Sequence, residues 1–498
     1  MKRFLLLPVC LFVVGFARSE LPGKVGIQNL SEGRTVIIRN NAVPADSIPP
    51  DSTGMSSRPA LELTPEMVPG WNVGNSLDAT GGETSWGNPL ISQKLIDSVK
   101  DAGFRSVRIP VAWSKFTDTS TYAIDTNFMN RVEQVVNYVL KDSMYAVMNL
   151  HWDGGWMQPT YAKEAYVNNR LSVMWHQIAV HFRDYGDHLI FAGMNEVMVE
   201  GDYGTPSVEY YTVQNGFNQT FVNAVRSTGG RNAYRYLAVQ GFNTNIDFTV
   251  DYFVVPTDAA DHRLFVEVHY YDPYDYTLNT GSSITQWGMY AITPTQTETW
   301  ANESYADGQF NKMKTKYVDN GIGVIIGEYG AMARLSSDDS INNLNALYRE
   351  YYMLYITKSI EKHGLIPFYW DNGYTSNYNM GIFDRSSGAR AYPELIQAIV
   401  DTSFTVEFPE VPQQSSIKSN KNEEIKIYPN PGHSLLSVEL NGDSPEFCRI
   451  YDNKGQLITD MPIHIGTNVF NISNLSTGLY FIQISLSKRI VVQKLIID

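Results

Sequence analysis

Eight short apolar runs, separated by stretches with helical spacing, constrain the fold of this chain more than any other feature. They fall within residues 70–398 and are continuously apolar, which is typical of strands covered on both faces. Strands that alternate with helices in this way predict an α/β fold, a (β/α)8 TIM barrel. The predicted strands are residues 70–74, 106–109, 145–150, 189–194, 236–239, 264–268, 323–326 and 365–369, and the predicted helical stretches are 91–102, 128–140, 171–183, 208–226, 305–319 and 341–363.

A doubly wound parallel sheet is the alternative for such an alternation of strands and helices. That fold expects a glycine-rich phosphate-binding turn after its first strand. The segment Gly70-Trp71-Asn72-Val73-Gly74 does not have this pattern. The barrel is therefore the favoured prediction.

The composition changes after the last barrel element. Residues 405–423 are rich in Pro, Gln, Ser, Asn and Lys, as linkers are. Beyond them, short alternating runs and turn residues predict a small all-β sandwich. Its predicted strands are residues 425–428, 435–440, 447–451, 468–472, 479–484 and 490–495. The predicted organisation is a signal peptide at 1–19, an irregular lead-in at 20–60, the barrel at 61–403, a linker at 404–423 and the sandwich at 424–498.

The first residues have the pattern of an export signal. Lys2-Arg3 precedes an apolar stretch that is too short to span a membrane, and small residues follow it. After cleavage only Cys448 remains, so neither an internal disulfide nor a zinc–thiolate site can form. We expect an exported protein without a membrane span.

The charge balance narrows the class of partner. The formal net charge is −14, from 52 acidic and 38 basic residues, which argues against nucleic acid and against anionic membranes. The chain also holds 31 Tyr and 9 Trp, flat rings of the kind that line sugar-binding clefts. A neutral substrate fits both observations.

Two glutamates, Glu196 and Glu328, each close an apolar run. In a barrel the carboxyl ends of the strands carry the active site. A retaining glycosidase needs two carboxyl groups there, roughly 5–5.5 Å apart, one as acid/base and one as nucleophile. Either glutamate alone could simply mark the end of a strand.

Other strand ends carry polar or aromatic side chains that suit the same chemistry. Arg108 and Tyr271 could hold Glu328 ionised, and Asn195 could bind a sugar 2-hydroxyl. Tryptophans could stack on sugar rings, although each Arg, His or Trp could instead be structural. The candidate substrate-binding residues are Asn75, Arg108, His151, Trp152, Asn195, His269, Tyr271, Trp287 and Trp370.

The same residues are compatible with two other classes of protein. A metal-dependent hydrolase could use His151, Asp153 and His269, but no His-x-His cluster is present. A non-catalytic glycan-binding barrel should lack one of the two glutamates. We expect an enzyme that needs neither metal nor cofactor.

With these residues assembled, residues 70–398 resemble the family 5 glycoside hydrolases, the cellulase-like retaining endoglycosidases, and subfamily 4 among them. The resemblance implies that Glu196 is the acid/base and Glu328 the nucleophile, with Arg108, His151, Asn195, His269, Tyr271 and Trp370 in support. Many members have Pro after the acid/base, where this chain has Val197, and some have a second His where it has Trp152. The matching segments are Gly70-Trp71-Asn72-Val73-Gly74-Asn75-Ser76-Leu77-Asp78, Val107-Arg108-Ile109-Pro110-Val111, Asn149-Leu150-His151, Met194-Asn195-Glu196, Val268-His269-Tyr270-Tyr271-Asp272-Pro273 and Ile326-Gly327-Glu328-Tyr329-Gly330.

The C-terminal residues resemble the sorting domain of type IX secretion. This implies passage through the periplasm and outer membrane, to a secreted or surface-attached form. A carbohydrate-binding module is the competing interpretation, but residues 424–498 contain no Trp. The matching pieces are Ile427-Tyr428-Pro429-Asn430-Pro431, Ile450-Tyr451-Asp452-Asn453-Lys454-Gly455, Leu475-Ser476-Thr477-Gly478-Leu479-Tyr480 and Val492-Gln493-Lys494-Leu495.

Together these features predict a secreted retaining endo-β-1,4-glucanase. Its expected partners are a β-1,4-linked polysaccharide and the outer-membrane secretion machinery. Xyloglucan, mixed-linkage glucan and mannan stay open as preferred substrates.

Overall fold

The computed structural model describes residues 26–29, 35–38, 46–151, 154–401, 403–408, 425–440, 445–452, 456–486 and 489–497. These residues belong to two units, one within 1–407 and the other within 408–498, each with its own apolar core. The predicted signal peptide lies outside the described residues, as do most of the linker and much of the lead-in. In the described part of the chain, no helix combines the length and apolar character needed to cross a membrane.

The first unit is a closed barrel of eight parallel strands that neighbour one another in chain order, and the last strand pairs with the first. Each predicted strand is present, so the (β/α)8 barrel is confirmed. The strands are β1 (Gly70–Val73), β2 (Ser106–Ile109), β3 (Tyr145–Asn149), β4 (Leu189–Ala192), β5 (Leu237–Gln240), β6 (Leu264–Tyr270), β7 (Gly323–Tyr329) and β8 (Ile366–Asp371).

In the described part of the barrel, eight α-helices of seven residues or more follow these strands. Helix α3 (Tyr161–His181) begins ten residues before the predicted start at 171, because its first turns are largely exposed and Val167 is their one buried residue. Helices α5 and α8 are too short for periodicity to reveal and were not predicted. The helices are α1 (Gln93–Ala102), α2 (Thr126–Lys141), α3 (Tyr161–His181), α4 (Val208–Arg226), α5 (Ile246–Tyr252), α6 (Glu303–Lys316), α7 (Asp339–Lys362) and α8 (Pro393–Val400).

Several helices begin at a side chain that caps the first turn. Ser92, Asp125, Ser207 and Asn302 each accept a hydrogen bond from a backbone N–H of the helix that they precede. Such caps satisfy donors that the helix itself cannot, and each stabilises it by about 1 kcal/mol. These side chains therefore set where the four helices begin.

The barrel interior is apolar at its amino end and polar at its carboxyl end. Val147, Ile190 and Phe265 belong to an apolar cluster that the segment 60–67 closes from outside the strands. One step further along the strands, Arg108 and Glu267 occupy the interior, and both are fully buried. Charges therefore face inward only where the strands approach the rim.

An irregularity between β6 and β7 aligns two of the predicted site residues. Val268 pairs with Ile326 and His269 pairs with Glu328, so Gly327 is an extra residue on β7. Such bulges re-aim side chains and often lie beside active sites. A Cβ at Gly327 would meet Glu267 Oε1 at 2.1 Å, so this position needs glycine.

Short strands outside the barrel form two small pairs. Gly26–Asn29 pairs antiparallel with Thr35–Ile38. Ile48–Pro50 pairs with Gly229–Gly230, which ties the segment before the barrel to the end of α4.

The second unit is a β-sandwich of a three-stranded and a four-stranded antiparallel sheet, in the orders β9-β10-β13 and β12-β11-β14-β15. Six of its strands were predicted, and the short strand β12 was missed. Cys448 lies buried in the core as a free thiol. The strands are β9 (Lys426–Tyr428), β10 (Leu435–Leu440), β11 (Pro445–Asp452), β12 (Leu457–Met461), β13 (Gly466–Asn471), β14 (Gly478–Leu486) and β15 (Arg489–Ile497).

Candidate active site

The two glutamates singled out in the sequence meet at the carboxyl rim of the barrel. A carboxylate oxygen of Glu196, one of Glu328 and a ring nitrogen of His269 all lie within 4.8 Å of one another. A retaining glycosidase places its two carboxyl groups roughly 5–5.5 Å apart, whereas an inverting one keeps them roughly 6.5–9.5 Å apart. The observed separation fits the retaining geometry.

The two glutamates differ in exposure. The side chain of Glu196 is 40% exposed, whereas that of Glu328 is 8% exposed. Glu196 also has a left-handed backbone with φ of 46°, which costs a non-glycine residue about 1–3 kcal/mol. This backbone holds an accessible carboxyl group just beyond the end of β4.

Arg108 on β2 joins four of the surrounding groups. Its Nη1 donates to Glu328 Oε1 at 2.9 Å and to Asn72 Oδ1 at 3.0 Å, and its Nη2 donates to Asn195 Oδ1. Its Nε lies 2.9 Å from Glu267 Oε1. Burial alone would lower the pKa of Arg108, but the charges of Glu267 and Glu328 raise it, so this cation is permanent.

His269 on β6 faces three carboxylates. Its Nδ1 lies 2.7 Å from Glu196 Oε1 and 3.8 Å from Glu328 Oε2, and its Nε2 lies 3.5 Å from Glu267 Oε1. Burial opposes the charged imidazole, but the three carboxylates raise the pKa of His269 to about 9. The imidazole therefore carries a proton at neutral pH.

The pKa values of the glutamates move in opposite directions. The surrounding protein removes part of the water around Glu196, and this loss of hydration acts against its charged form. The hydrogen bond with His269 and the charges of His269 and Arg108 outweigh it, so the pKa of Glu196 is lowered overall. Burial raises the pKa of Glu328, although His269 and Arg108 oppose this. The two carboxyl groups and the imidazole titrate as one unit.

Tyr271 and Arg108 hold the two oxygens of Glu328 separately. The Tyr271 hydroxyl donates to Oε2 at 3.2 Å, and Arg108 donates to Oε1. Burial and the neighbouring carboxylates raise the pKa of Tyr271 well above its ordinary value, so it remains a donor. Two fixed donors orient the Glu328 carboxylate.

On the opposite side of the site, two rings stack. The rings of His151 and Trp370 lie 5.9 Å apart and are nearly parallel, at 9°. Asn149 Nδ2 lies 3.0 Å from His151 Nδ1. Burial, with the cations Arg108 and His269, lowers the pKa of His151 well below its ordinary value, so this imidazole is neutral.

Asn75 lies at the end of β1, where it shapes the rim. Its backbone is left-handed with φ of 54°, and its N–H donates to Asp78 Oδ2 at 3.0 Å. Its carbonyl accepts a hydrogen bond from Asn88. These bonds fix the turn that follows β1.

The prediction for Trp287 needs correction, and Trp152 lies outside the described residues. Trp287 is 2% exposed, with its ring packed against Tyr351, Tyr352 and Tyr355 and its Nε1 donating to a backbone carbonyl. The rings that cover Trp287 belong to helix α7, which is distant in the sequence, so the loop sequence around Trp287 did not reveal its burial. It is a core residue and presents no face to a sugar.

Sequence reasoning missed Glu267, which contacts both Arg108 and His269. A signal was present, since Glu267 is a charged residue inside the apolar run 264–268. Burying such a charge without a partner is costly, so the pattern indicates a paired interior carboxylate.

A cavity of about 330 Å³ adjoins Glu196. Neither Glu328 nor Trp370 lines it, so it extends away from the pair of carboxylates beyond Glu196. Asn243 and Thr244 line it and have left-handed backbones, which the Thr side chain rarely tolerates. Its lining is Glu196, Met198, Tyr203, Asn243, Thr244, Asn245, Ile246, Asp247, His269, Tyr270, Tyr271, Asp272, Tyr305 and Gln309.

Glu196, His269 and Glu328 are also residue types that bind metal ions. The Arg108 guanidinium, 2.9 Å from Glu328, places a permanent positive charge beside that position. A divalent cation there would be repelled at short range, so this set of ligands is a poor one.

Comparison with known proteins matches both units to families. The cellulase family, glycosyl hydrolase family 5, matches residues 72–376, and the secretion system C-terminal sorting domain matches residues 426–498. Endoglucanase A of Paenibacillus barcinonensis is 39% identical over 367 residues, 70% of this chain and 90% of that protein.

Two comparisons concern xyloglucan-acting proteins. A xyloglucan-specific endo-beta-1,4-glucanase of Bacteroides ovatus is 41% identical over 377 residues, 72% of this chain and 74% of that protein. A solved structure of a Bacteroides ovatus GH5 xyloglucanase, in complex with a XXXG heptasaccharide, matches with a TM-score of 0.69 at 38% identity. That match covers 75% of this chain and 84% of the other.

Proposed function

The chain belongs to glycosyl hydrolase family 5, and we propose that it cleaves internal β-1,4 bonds of glucans with Glu328 as nucleophile and Glu196 as acid/base. It is a retaining glycoside hydrolase, as the family is. The observation that carries the two roles is the meeting of these carboxylates within 4.8 Å.

The surroundings of Glu328 suit a nucleophile. It must be ionised to attack, and Arg108 and Tyr271 each donate to one of its oxygens. Asn195, whose Oδ1 accepts from Arg108, has its amide nitrogen to offer to a sugar hydroxyl.

The surroundings of Glu196 suit an acid/base. Its pKa is lowered, so the proton for the leaving group is stored on His269, 2.7 Å away. Glu196 passes a proton to the glycosidic oxygen as it receives one from His269 Nδ1. Its exposure gives both the leaving group and the later water access to its carboxyl group.

The reaction then proceeds in two displacements. In the first, a Glu328 oxygen bonds to the anomeric carbon, the glycosidic C–O bond breaks, and the proton goes to the departing hydroxyl. In the second, Glu196 takes a proton from water, which attacks the anomeric carbon and releases Glu328. The proton returns to the Glu196–His269 pair.

The cavity beyond Glu196 is the binding place that we propose for the leaving-group sugars. The acid/base faces the glycosidic oxygen, so a cavity lined by Glu196 and not by Glu328 lies on the leaving-group side. Its polar lining suits hydroxyl-rich ligands. Xyloglucan is the second candidate substrate, because the 41% identical relative is named as specific for it.

Export follows from the second unit. The match over residues 426–498 is to a secretion sorting domain, so the protein is exported. We propose that the outer-membrane secretion machinery recognises this sandwich. For the chain as a whole we propose a leader at 1–19, a barrel at 61–403 and a linker at 404–423.

The roles are tested with Glu196→Ala and Glu328→Ala in the presence of azide. With Glu196→Ala and dinitrophenyl cellobioside, azide should take the place of the attacking water and give a β-glycosyl azide. With Glu328→Ala and the same substrate, azide should take the place of the nucleophile and give the α-glycosyl azide. Proton NMR of the products decides, and exchanged stereochemistries would reverse the roles.

Turnover without azide completes this test. Glu196→Gln and Glu328→Gln should each abolish release of reducing ends from carboxymethylcellulose, whereas the exposed control Glu394→Gln should act as wild type. Near-normal activity in either site variant would refute the assignment. Exhaustive chelation should leave the wild-type rate unchanged, and a loss that a divalent metal restores would favour the metal-dependent alternative.

A further inference from the structure

We propose that Glu267 is a positioning residue that orients the imidazole of His269, with Nδ1 toward Glu196, and so keeps the catalytic proton in place. This inference rests on the proposed role of Glu196 as acid/base. Glu267 itself does not reach the cleft, since its side chain is fully buried inside the barrel.

The contacts of Glu267 are with two members of the site. Oε1 lies 2.9 Å from Arg108 Nε and 3.5 Å from His269 Nε2. The opposite nitrogen of the same imidazole, Nδ1, lies 2.7 Å from Glu196. One carboxylate thus lies beside one ring nitrogen, and the other ring nitrogen faces the acid/base.

The barrel is built around this carboxylate. A charge inside an apolar strand is costly unless it is paired, and both partners of Glu267 are active-site groups. The neighbouring strand β7 has a glycine, Gly327, beside this carboxylate, and a Cβ at that position would overlap Glu267 Oε1.

The effect on His269 is both geometric and electrostatic. A carboxylate behind an imidazole sets which ring nitrogen faces the reaction and stabilises the protonated ring. Without Glu267 the ring loses one of three anions, so it should give up its proton at a lower pH. The charged and titratable groups that face His269 are Arg108 on β2, His151 after β3, Glu196 after β4, Glu267 and Tyr271 on and after β6, and Glu328 on β7.

Glu267→Gln tests this role because it keeps the shape and removes the charge. On carboxymethylcellulose kcat/KM should fall about 10–100-fold, part of what a general acid contributes. The alkaline limb of its pH profile should move down by roughly one pH unit. On dinitrophenyl cellobioside, whose leaving group needs no proton, the rate of the glycosylation step should stay within about threefold of wild type.

Asp371→Asn is the matched control. Asp371 is also a buried barrel carboxylate paired with an arginine, Arg385 at 2.9 Å, but it does not contact His269. This variant should lower the melting temperature and leave the alkaline limb in place. An equal loss on both substrates for Glu267→Gln, with an unmoved alkaline limb, would show a merely structural role and overturn the proposal.

A second measurement covers the case in which Glu267→Gln does not fold. In Glu196→Gln the imidazole still faces Glu267 and Glu328, so nitrogen NMR should show His269 titrating above the ordinary histidine pKa of about 6.5. A value at or below that would overturn the proposal. The azide experiments fail or succeed independently of these results, so an error in the roles of the glutamates would be recognised separately.

Discussion

In the proposed mechanism, the proton shared by His269 and Glu196 is the residue-scale feature that sets the working pH. His269 is held protonated up to a pH of about 9 by the surrounding carboxylates. Glu328 must be ionised, and burial raises its pKa above the ordinary value. Activity thus depends on one group that keeps its proton and one that has lost it.

We expect kcat/KM to be bell-shaped in pH. The alkaline limb should appear as the pH rises toward about 9, because His269 and Glu196 then lose their shared proton. The acid limb should lie above the ordinary glutamate pKa, because the raised pKa of Glu328 delays its ionisation. The profile is measured on a soluble cello-oligosaccharide, and an alkaline limb at or below about pH 6.5 would contradict this account.

Site residues that close an apolar run were predicted from the sequence, whereas Glu267, which lies within such a run, was missed. Glu196 and Glu328 were recognisable because each follows an apolar run that a barrel aims at its rim. Glu267 was passed over because a strand interior is read for apolar pattern, and its partners come from distant strands. Trp287 was misassigned because ring exposure depends on the packing of helix α7 against the loop that carries it.

At the scale of elements, the bulge on β7 places Glu328 beside His269. Gly327 is the extra residue, and its missing side chain admits Glu267. The bulge could not be predicted from the sequence, because a single glycine in an apolar run has several explanations.

Gly327→Ala should destabilise the barrel by about 1–3 kcal/mol, because the added methyl group overlaps a buried carboxylate. The displaced Glu267 should also lower kcat. Gly308→Ala is the control, since Gly308 is exposed in α6 and a Cβ there meets nothing within 4 Å. Urea unfolding should show it more stable by about 0.5–1 kcal/mol, and equal effects of both changes would count against the overlap.

The loop after β4 contributes Tyr203 to the cavity beyond Glu196, and this side chain is 74% exposed. Tyr203→Ala should raise KM for cellopentaose about fivefold, as expected for the loss of about 1 kcal/mol of ring contact. Hydrolysis of an aryl cellobioside, which has no sugar on the leaving-group side, should be unchanged. Equal losses on both substrates would place the cavity on the other side of the scissile bond.

Element types were easier to predict than element limits. The eight strands were evident because buried parallel strands are continuously apolar. The first turns of α3 were missed because they are largely exposed and bury only Val167. Strand β12 was missed because a short strand with exposed apolar residues resembles a turn region.

At the scale of the whole molecule, the two units have separate cores. The barrel could be predicted because its pattern repeats eight times, and the sandwich because its strands alternate. Removal of residues 408–498 should therefore leave kcat and KM of the purified barrel unchanged, and should prevent export. Loss of hydrolysis in the purified truncated protein would show that the barrel depends on residues beyond 407.

The carboxylate enclosed behind His269 has a practical consequence for protein engineering. No atom of Glu267 is in reach of a sugar, yet its charge acts on the group that supplies the proton. An engineer could thus retune the acidity at which the enzyme operates from behind the cleft, and leave every surface that the polysaccharide touches as it is.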